Sequence, residues 1–199
     1  YGTVNAFDYP LVMMRVDKLS LIFGYIFTIA SFLSVIYALH VKDIVQQVAG
    51  LSYAGAAICA VFAGDLISLF VFWELTAITS VFLIWAVRSE RAFRAGMRYL
   101  VIQIGSGVLL LSGAVLIIGE TGSVTFGQID VESLGGKLIL ISFGIKAAFP
   151  LLHNWLQDAY PEATVTGTVF LSAFTTKLAI YALARGFPGT EMLIWIGAT

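Results

Sequence analysis

The chain has 199 residues, 59% of them hydrophobic and 12% charged, with a formal net charge of -1 and a mean hydropathy of +0.94. A globule of this length cannot bury that much apolar surface from water, so lipid must be part of its solvent. The near-zero charge with no long basic run excludes a nucleic-acid partner, and the lone Cys59 excludes an internal disulfide or a cysteine metal cluster. Cys59 lies in an apolar stretch and is expected to be a small packed residue. The chain opens at Tyr1, and no signal-peptide pattern precedes the first long apolar run, so residues 1–199 are expected to be one transmembrane domain within a longer polypeptide.

A spanning helix needs about 20 largely apolar residues. Residues 19–39, 45–62, 66–87 and 100–118 form the first four such runs. The fifth, residues 138–160, meets Pro150 and continues as an amphipathic piece, which predicts a helix broken near Phe149 and Pro150. The sixth covers residues 165–184, and residues 192–199 begin another. The fold class is therefore all-α, a polytopic transmembrane helix bundle of about six spans plus a stub. Arg88, Arg91, Arg94 and Arg98 crowd the predicted loop over residues 88–98, whereas Glu120, Asp130 and Glu132 face one lysine in the next. The positive-inside rule then places residues 40–43, 88–98 and 158–162 on the cytoplasmic side and the other loops outside. Small residues on the second and fourth spans, including Gly50, Gly55, Gly105, Ser106, Gly107 and Gly113, are expected to be helix-packing surfaces. Trp85 and Trp155, near cytoplasmic helix ends, fit interface anchors, whereas Trp73 sits deep beside Glu74.

Three ionisable side chains stand where lipid should be. Glu74 is about 12 Å into the third span, Lys146 comes at a similar depth in the fifth, and Lys177 is about 18 Å into the sixth. Each charge costs at least ~2.5 to 3.5 kcal/mol on insertion scales, and Glu74 is too short to snorkel. One reading is a structural ion pair that locks two helices. The other is a proton path, in which carboxylate and amine exchange protons along a hydrated seam. The broken fifth span favours the second reading, because freed backbone groups at membrane depth must face protein or water. His153, just past the break, carries an imidazole that titrates near neutral pH and lies in sequence between the two lysines. Asp158 and Tyr160 are candidates for a cytoplasmic entrance, although a plain polar turn also explains them. His40 and Lys42 read as ordinary interfacial residues, and Asp17 and Asp65 as carboxylates favoured at helix N-termini.

Two segments carry a family resemblance: GDLISLFVFWELTAITSVFLI, residues 64–84, and FGIKAAFPLLHNWLQDAYPEATVTGTVFLSAFTTKLAIYALAR, residues 143–185. They resemble the antiporter-like membrane subunits shared by Mrp-type multisubunit sodium/proton antiporters and respiratory complex I, and are most similar to the D subunit of the Mrp antiporters. The tryptophan–glutamate pair, the lysine before the break, the HxWL stretch and the second lysine occur in the family's order. The resemblance implies two inverted five-helix repeats in the parent, of which this chain holds the helix before the first repeat, that repeat, and a stub of the second. It also implies that Glu74, Lys146, Lys177 and His153 lie on the proton-translocation path, that other membrane subunits are partners, and that the location is the cell inner (cytoplasmic) membrane. Gln157 and Thr164 stand where the motif usually has prolines.

The function implied is a proton-translocating subunit of a multisubunit antiporter that exchanges sodium for protons. The alternative is a proton-pumping membrane subunit of an NADH:quinone oxidoreductase-type complex, and a second alternative is a passive anchoring subunit with inert charges. The chain shows no GxGxxG after a strand, no cysteine cluster and no oxygen-rich cage, so neither a cofactor nor a metal is expected on it, and no catalytic residue is assigned.

Overall fold

A computed structural model describes residues 2–6 and 9–198. In chain order the elements are β1 (Gly2–Ala6), β2 (Tyr9–Met14), α1 (Lys18–Ala38), α2 (Ile44–Phe62), α3 (Leu66–Trp85), α4 (Glu90–Thr121), α5 (Leu134–Ala147), α6 (Asn154–Ala159), a single 3-10 turn (Tyr160–Glu162), α7 (Val165–Gly186) and α8 (Glu191–Ala198). Helices α1, α2, α3, α4 and α7 are each long and apolar enough to cross a membrane. Their outward faces carry large exposed apolar side chains such as Ile29, Phe32, Val101, Val108 and Ile180, which is what a lipid-facing surface requires. The chain is thus a multi-pass membrane protein built as a helix bundle.

The helix starts follow from capping chemistry. Asp17, Asp43, Asp65, Ser89, Ser133 and Thr164 each sit at an N-cap, and their side chains accept from backbone N–H groups of the first turn, satisfying donors the helix leaves unpaired. Thr164, one of the two positions that depart from the family's prolines, is therefore the cap of α7. Two expectations change. The arginine-rich residues 88–98 are not a loop, because Ser89 starts α4 and Glu90–Thr121 is one helix. Its 32 residues extend about 48 Å, well beyond a hydrocarbon core of ~30 Å, so its first turns project from the membrane. At the other end of the bundle β1 and β2 form an antiparallel hairpin that the apolar pattern does not announce. It is tied down by Arg15 N to Phe62 O at 2.7 Å and Gly64 N to Val12 O at 2.9 Å.

The fifth span breaks as the proline predicts, a little earlier than expected. Helix α5 ends at Ala147, and Ala148 takes a left-handed conformation with φ 60°. The Phe149 ring folds back onto Gly144, where even a methyl carbon would approach it to 2.7 Å. With 14 residues, α5 reaches only about 21 Å, so its C-terminus stops inside the membrane. Freed carbonyls are taken up locally: Ala148 N and Phe149 N donate to Ile145 O and Gly144 O, and Trp155 Nε1 donates to Ile145 O at 2.9 Å. Trp155 is accordingly 3% exposed. It plugs the break rather than anchoring at the interface. Cys59 is exposed on the outward face of α2 rather than packed.

The inferred sidedness is internally consistent. Arg88 pairs with Asp43 at 3.2 Å, Arg91 with Glu162 at 2.7 Å and Arg98 with Asp158 at 2.5 Å, so the three segments assigned to the cytoplasm share one end. At the opposite end Arg185 donates to Asp17 at 2.8 Å, and Arg15 donates to Phe126 O at 2.7 Å.

Candidate functional site

The site grows from a seam where α3, α4 and α5 meet. The small residues of α4 allow the close approach: a methyl at Gly113 would stand 2.6 Å from Gly135 O, and one at Gly107 would stand 1.4 Å from Glu74 Oε1. Gly105 and Gly55 have nothing within 4 Å and face outward, so only part of the small-residue pattern is packing surface. Ser106 is more than a spacer. It accepts from Trp73 Nε1 at 3.1 Å and donates to Ser142 O at 3.0 Å, while Ser142 Oγ donates back to Ser106 O at 2.6 Å. These bonds stitch all three helices together at depth.

Lys146 stands one turn beyond Ser142 on α5, in the last turn before the break. That position is electrostatically suited to a cation, because the unpaired carbonyls at a helix C-terminus carry partial negative charge. Its side chain is 1% exposed. The Nζ donates to Trp73 O at 2.9 Å and to Thr76 Oγ1 at 2.8 Å, and lies 4.3 Å from the centroid of the Trp73 ring. Thr76 in turn donates to Trp73 O at 2.7 Å. Every close partner is a neutral oxygen or a π face.

Glu74 enters the seam from the neighbouring position on α3. Its Oε1 is buried and has no hydrogen-bond partner among the described residues, and it rests against Gly107 of α4. The ion pairs closer than 4 Å among the described residues do not include Glu74 with Lys146. The two side chains share a seam without forming a clasp.

The remaining candidates are distributed differently. Lys177 is exposed on the outer face of α7 and folds along its own helix to donate to Ser172 O at 2.6 Å; it does not face Lys146. His153 is half-buried at the N-terminus of α6 and makes no capping hydrogen bond. Asp158 is exposed and held by both Nε and an Nη of Arg98, at 2.5 and 2.8 Å. Tyr160 donates to Leu171 O at 2.9 Å.

Several polar residues of the interior carry no signal strong enough to single them out in the sequence. Tyr99 and Ser80 share a hydrogen bond of 2.7 Å, and Tyr53 bonds Thr175. Gln103 is wholly buried, and neither atom of its amide has a partner among the described residues. The one available signal was Gln103 itself, an amide within an otherwise apolar span.

Comparison with known proteins places the chain in a family. Residues 63–197 match the family described as NADH:quinone oxidoreductase/Mrp antiporter, TM, a stretch that includes α3 to α7 entire. The chain is 26% identical over 169 residues to the D subunit of the Na(+)/H(+) antiporter of Bacillus subtilis (strain 168), covering 75% of this chain and 34% of that protein. It is 33% identical over 132 residues to the N subunit of the NADH-quinone oxidoreductase of Desulforudis audaxviator (strain MP104C), covering 61% of this chain and 26% of that one. Among solved structures, a chain of the Mrp complex from Dietzia sp. DQ12-45-1b superposes with a TM-score of 0.77 at 26% identity, over 92% of this chain and 38% of its own length. The chain thus spans about a third or less of the two curated relatives. With the spans α3, α4 and α7, the broken helix and the buried lysine all inside the matched region, the chain belongs to the NADH:quinone oxidoreductase/Mrp antiporter transmembrane family.

Proposed function

We propose that this chain is part of a proton-translocating subunit of a multisubunit cation/proton antiporter, located in the cell inner membrane and assembled with other membrane subunits. The observation that carries the proposal is the setting of Lys146. A structural ion pair would put the ammonium against a carboxylate, because breaking such a pair in a buried site leaves an uncompensated charge. Lys146 instead meets Trp73 O and Thr76 Oγ1. Neutral acceptors tolerate an amine in either protonation state, which a proton carrier needs and an anchor does not. Glu74 then acts through its field across the seam rather than as a fixed partner. Lys177 belongs to the same path through the rest of the parent: an ammonium on the outer face of α7 at membrane depth needs cover, and the length of the relatives beyond this chain supplies it. His153 would relay between the two lysines, with Asp158 and Tyr160 near the cytoplasmic mouth.

The antiporter reading is favoured by the match to the Bacillus subtilis antiporter protein, which covers more of this chain than the match to the quinone oxidoreductase protein. The rival, a proton-pumping subunit of a quinone-linked complex, is favoured by the higher identity of that second match. The test uses the full-length parent in its assembly, in sealed vesicles, with proton and sodium fluxes measured separately. Sodium-dependent proton flux without any electron donor, lost in Lys146→Ala, is the expected outcome. Flux that appears only with a quinone and a reductant would establish the rival, and full flux from Lys146→Ala would refute both in favour of passive anchoring.

A further inference from the structure

Gln103 is the buried polar group that nothing above employs. Its side chain is 0% exposed, and neither Oε1 nor Nε2 has a partner among the described residues. An amide offers two donors and two acceptor lone pairs, and buried polar groups in proteins are satisfied with few exceptions. Its position in the bundle is fixed by two measured rungs between the antiparallel helices α3 and α4. Ser80 bonds Tyr99, and Trp73 bonds Ser106. Four residues back along α3 from Ser80 is Thr76, and four residues forward along α4 from Tyr99 is Gln103; three more on each helix reach the Trp73–Ser106 rung. Thr76 and Gln103 are therefore level, and Thr76 is the hydroxyl that accepts from Lys146 Nζ at 2.8 Å.

We propose that Gln103 holds an internal water between α3 and α4 at the level of Lys146, and that this water passes protons between the Lys146–Thr76 contact and the Tyr99–Ser80 hydroxyl pair. The proposal rests on the reading of the chain as a proton conductor. Water is the occupant whose chemistry fits: it both donates and accepts, as an amide demands. A metal cation is disfavoured because the ammonium of Lys146 stands at the same level and a single amide oxygen is a poor cage. The spacing suits one molecule, since the four residues from Tyr99 to Gln103 rise about 6 Å along α4 and two hydrogen bonds of about 2.8 Å span that rise. In the transfer, a proton leaves Lys146 Nζ for the water oxygen, the water gives one of its own to the hydroxyl pair, and the pair gives one up in the same step to a further internal water on its cytoplasmic side, so that both hydroxyls stay neutral. The amine ends neutral and the water is unchanged. Gln103 orients the carrier and does not titrate, so it is a positioning residue.

The experiment combines radiolytic hydroxyl-radical labelling in oxygen-18 water with proton flux, both on the full-length parent in its assembly. Trp73 is 0% exposed, so label on its ring reports a water inside the protein rather than bulk solvent. The wild type should label Trp73. Gln103→Met, of similar volume but without the amide, should lose both that label and the proton flux. Gln103→Glu, which as the neutral acid also donates and accepts, should keep both and shows that loss in the methionine variant is not a folding defect. An unlabelled Trp73 in the wild type, or a Gln103→Met variant with wild-type label or wild-type flux, overturns the proposal. Full flux from Lys146→Ala would refute the proton reading itself, and the label at Trp73 would then decide the water site independently.

Discussion

Gly107→Ala isolates the position of the Glu74 carboxylate from its charge. A methyl carbon built at Gly107 lies 1.4 Å from Glu74 Oε1 and 2.5 Å from its carboxyl carbon, whereas ordinary contact begins at 3.4 Å. The carboxylate must therefore swing by about 2 Å, the difference of those two distances. The three atoms nearest the new methyl all belong to the Glu74 side chain, so the closest clash falls on the free end of a flexible chain. The helix itself gains, because alanine is favoured over glycine in a helix interior by about 0.5 to 1 kcal/mol. A displacement of ~1 Å in a transfer site can cost about 10²-fold in rate. The expected outcome is a parent protein that assembles at wild-type level and melts no lower, yet whose proton flux in vesicles falls by roughly that factor. Adding Glu74→Asp should restore part of the flux, because the shorter side chain carries its carboxyl carbon near the present Cγ, 3.3 Å from the methyl. Wild-type flux from Gly107→Ala, with the protein assembled, would show that the placement of the carboxylate does not matter and would remove Glu74 from the path.

Lys146→Arg should abolish flux while Lys146→Met leaves assembly intact, measured as vesicle transport and complex yield; a guanidinium stays protonated and is too broad for a site that is 1% exposed. Asp17→Ala should lower stability by about 1 to 3 kcal/mol, seen as a lower melting midpoint, because it removes both the cap of α1 and the partner of Arg185. Asp17→Asn should lose less, since the amide oxygen can still cap. Gly113→Val should destabilise the α4–α5 contact by about 1 to 3 kcal/mol, given the Gly135 carbonyl 2.6 Å from the new carbon, whereas Gly105→Ala should be neutral or better.

Lipid imposes its thickness on the chain, and that is why the spans were legible: apolar runs 19–39, 45–62, 66–87 and 165–184 agree with α1, α2, α3 and α7 to within a few residues. The cost of charge in lipid made Glu74, Lys146 and Lys177 conspicuous, and Pro150 marked the break. What a run of apolar residues cannot encode is which residue of one helix lies level with which of another. Thr76 and Gln103 acquire their setting only from the rungs Ser80–Tyr99 and Trp73–Ser106, which are contacts between spans. The same lack of register hid the difference between Lys146 and Lys177. Both are lysines at depth in a span, yet one points into the seam and the other away from the bundle. Trp155 misled for a related reason: composition places tryptophan at interfaces, whereas here an unpaired carbonyl at a broken helix needed a donor. The N-terminal hairpin carried no apolar alternation strong enough to compete with the long runs beside it.

The break in α5 and the burial of Lys146 are one arrangement rather than two. An unbroken fifth span would carry the lysine through the bilayer with its carbonyls all engaged in the helix, and the insertion cost of at least ~2.5 to 3.5 kcal/mol would stand unrelieved. Ending the helix at Ala147 puts Lys146 in the last turn, where the helix dipole favours a cation. It also lets the side chain reach across to α3. Two hydrogen bonds from a charged donor contribute about 1.5 to 3 kcal/mol each, and the Trp73 face adds about 1 to 2, which together are enough to offset an insertion cost of that size. Glu74 beside Gly107 lies in the same seam but outside ion-pair distance, so the close partners of the ammonium are two neutral oxygens and the Trp73 face, an arrangement that the end of α5 at Ala147 puts within reach.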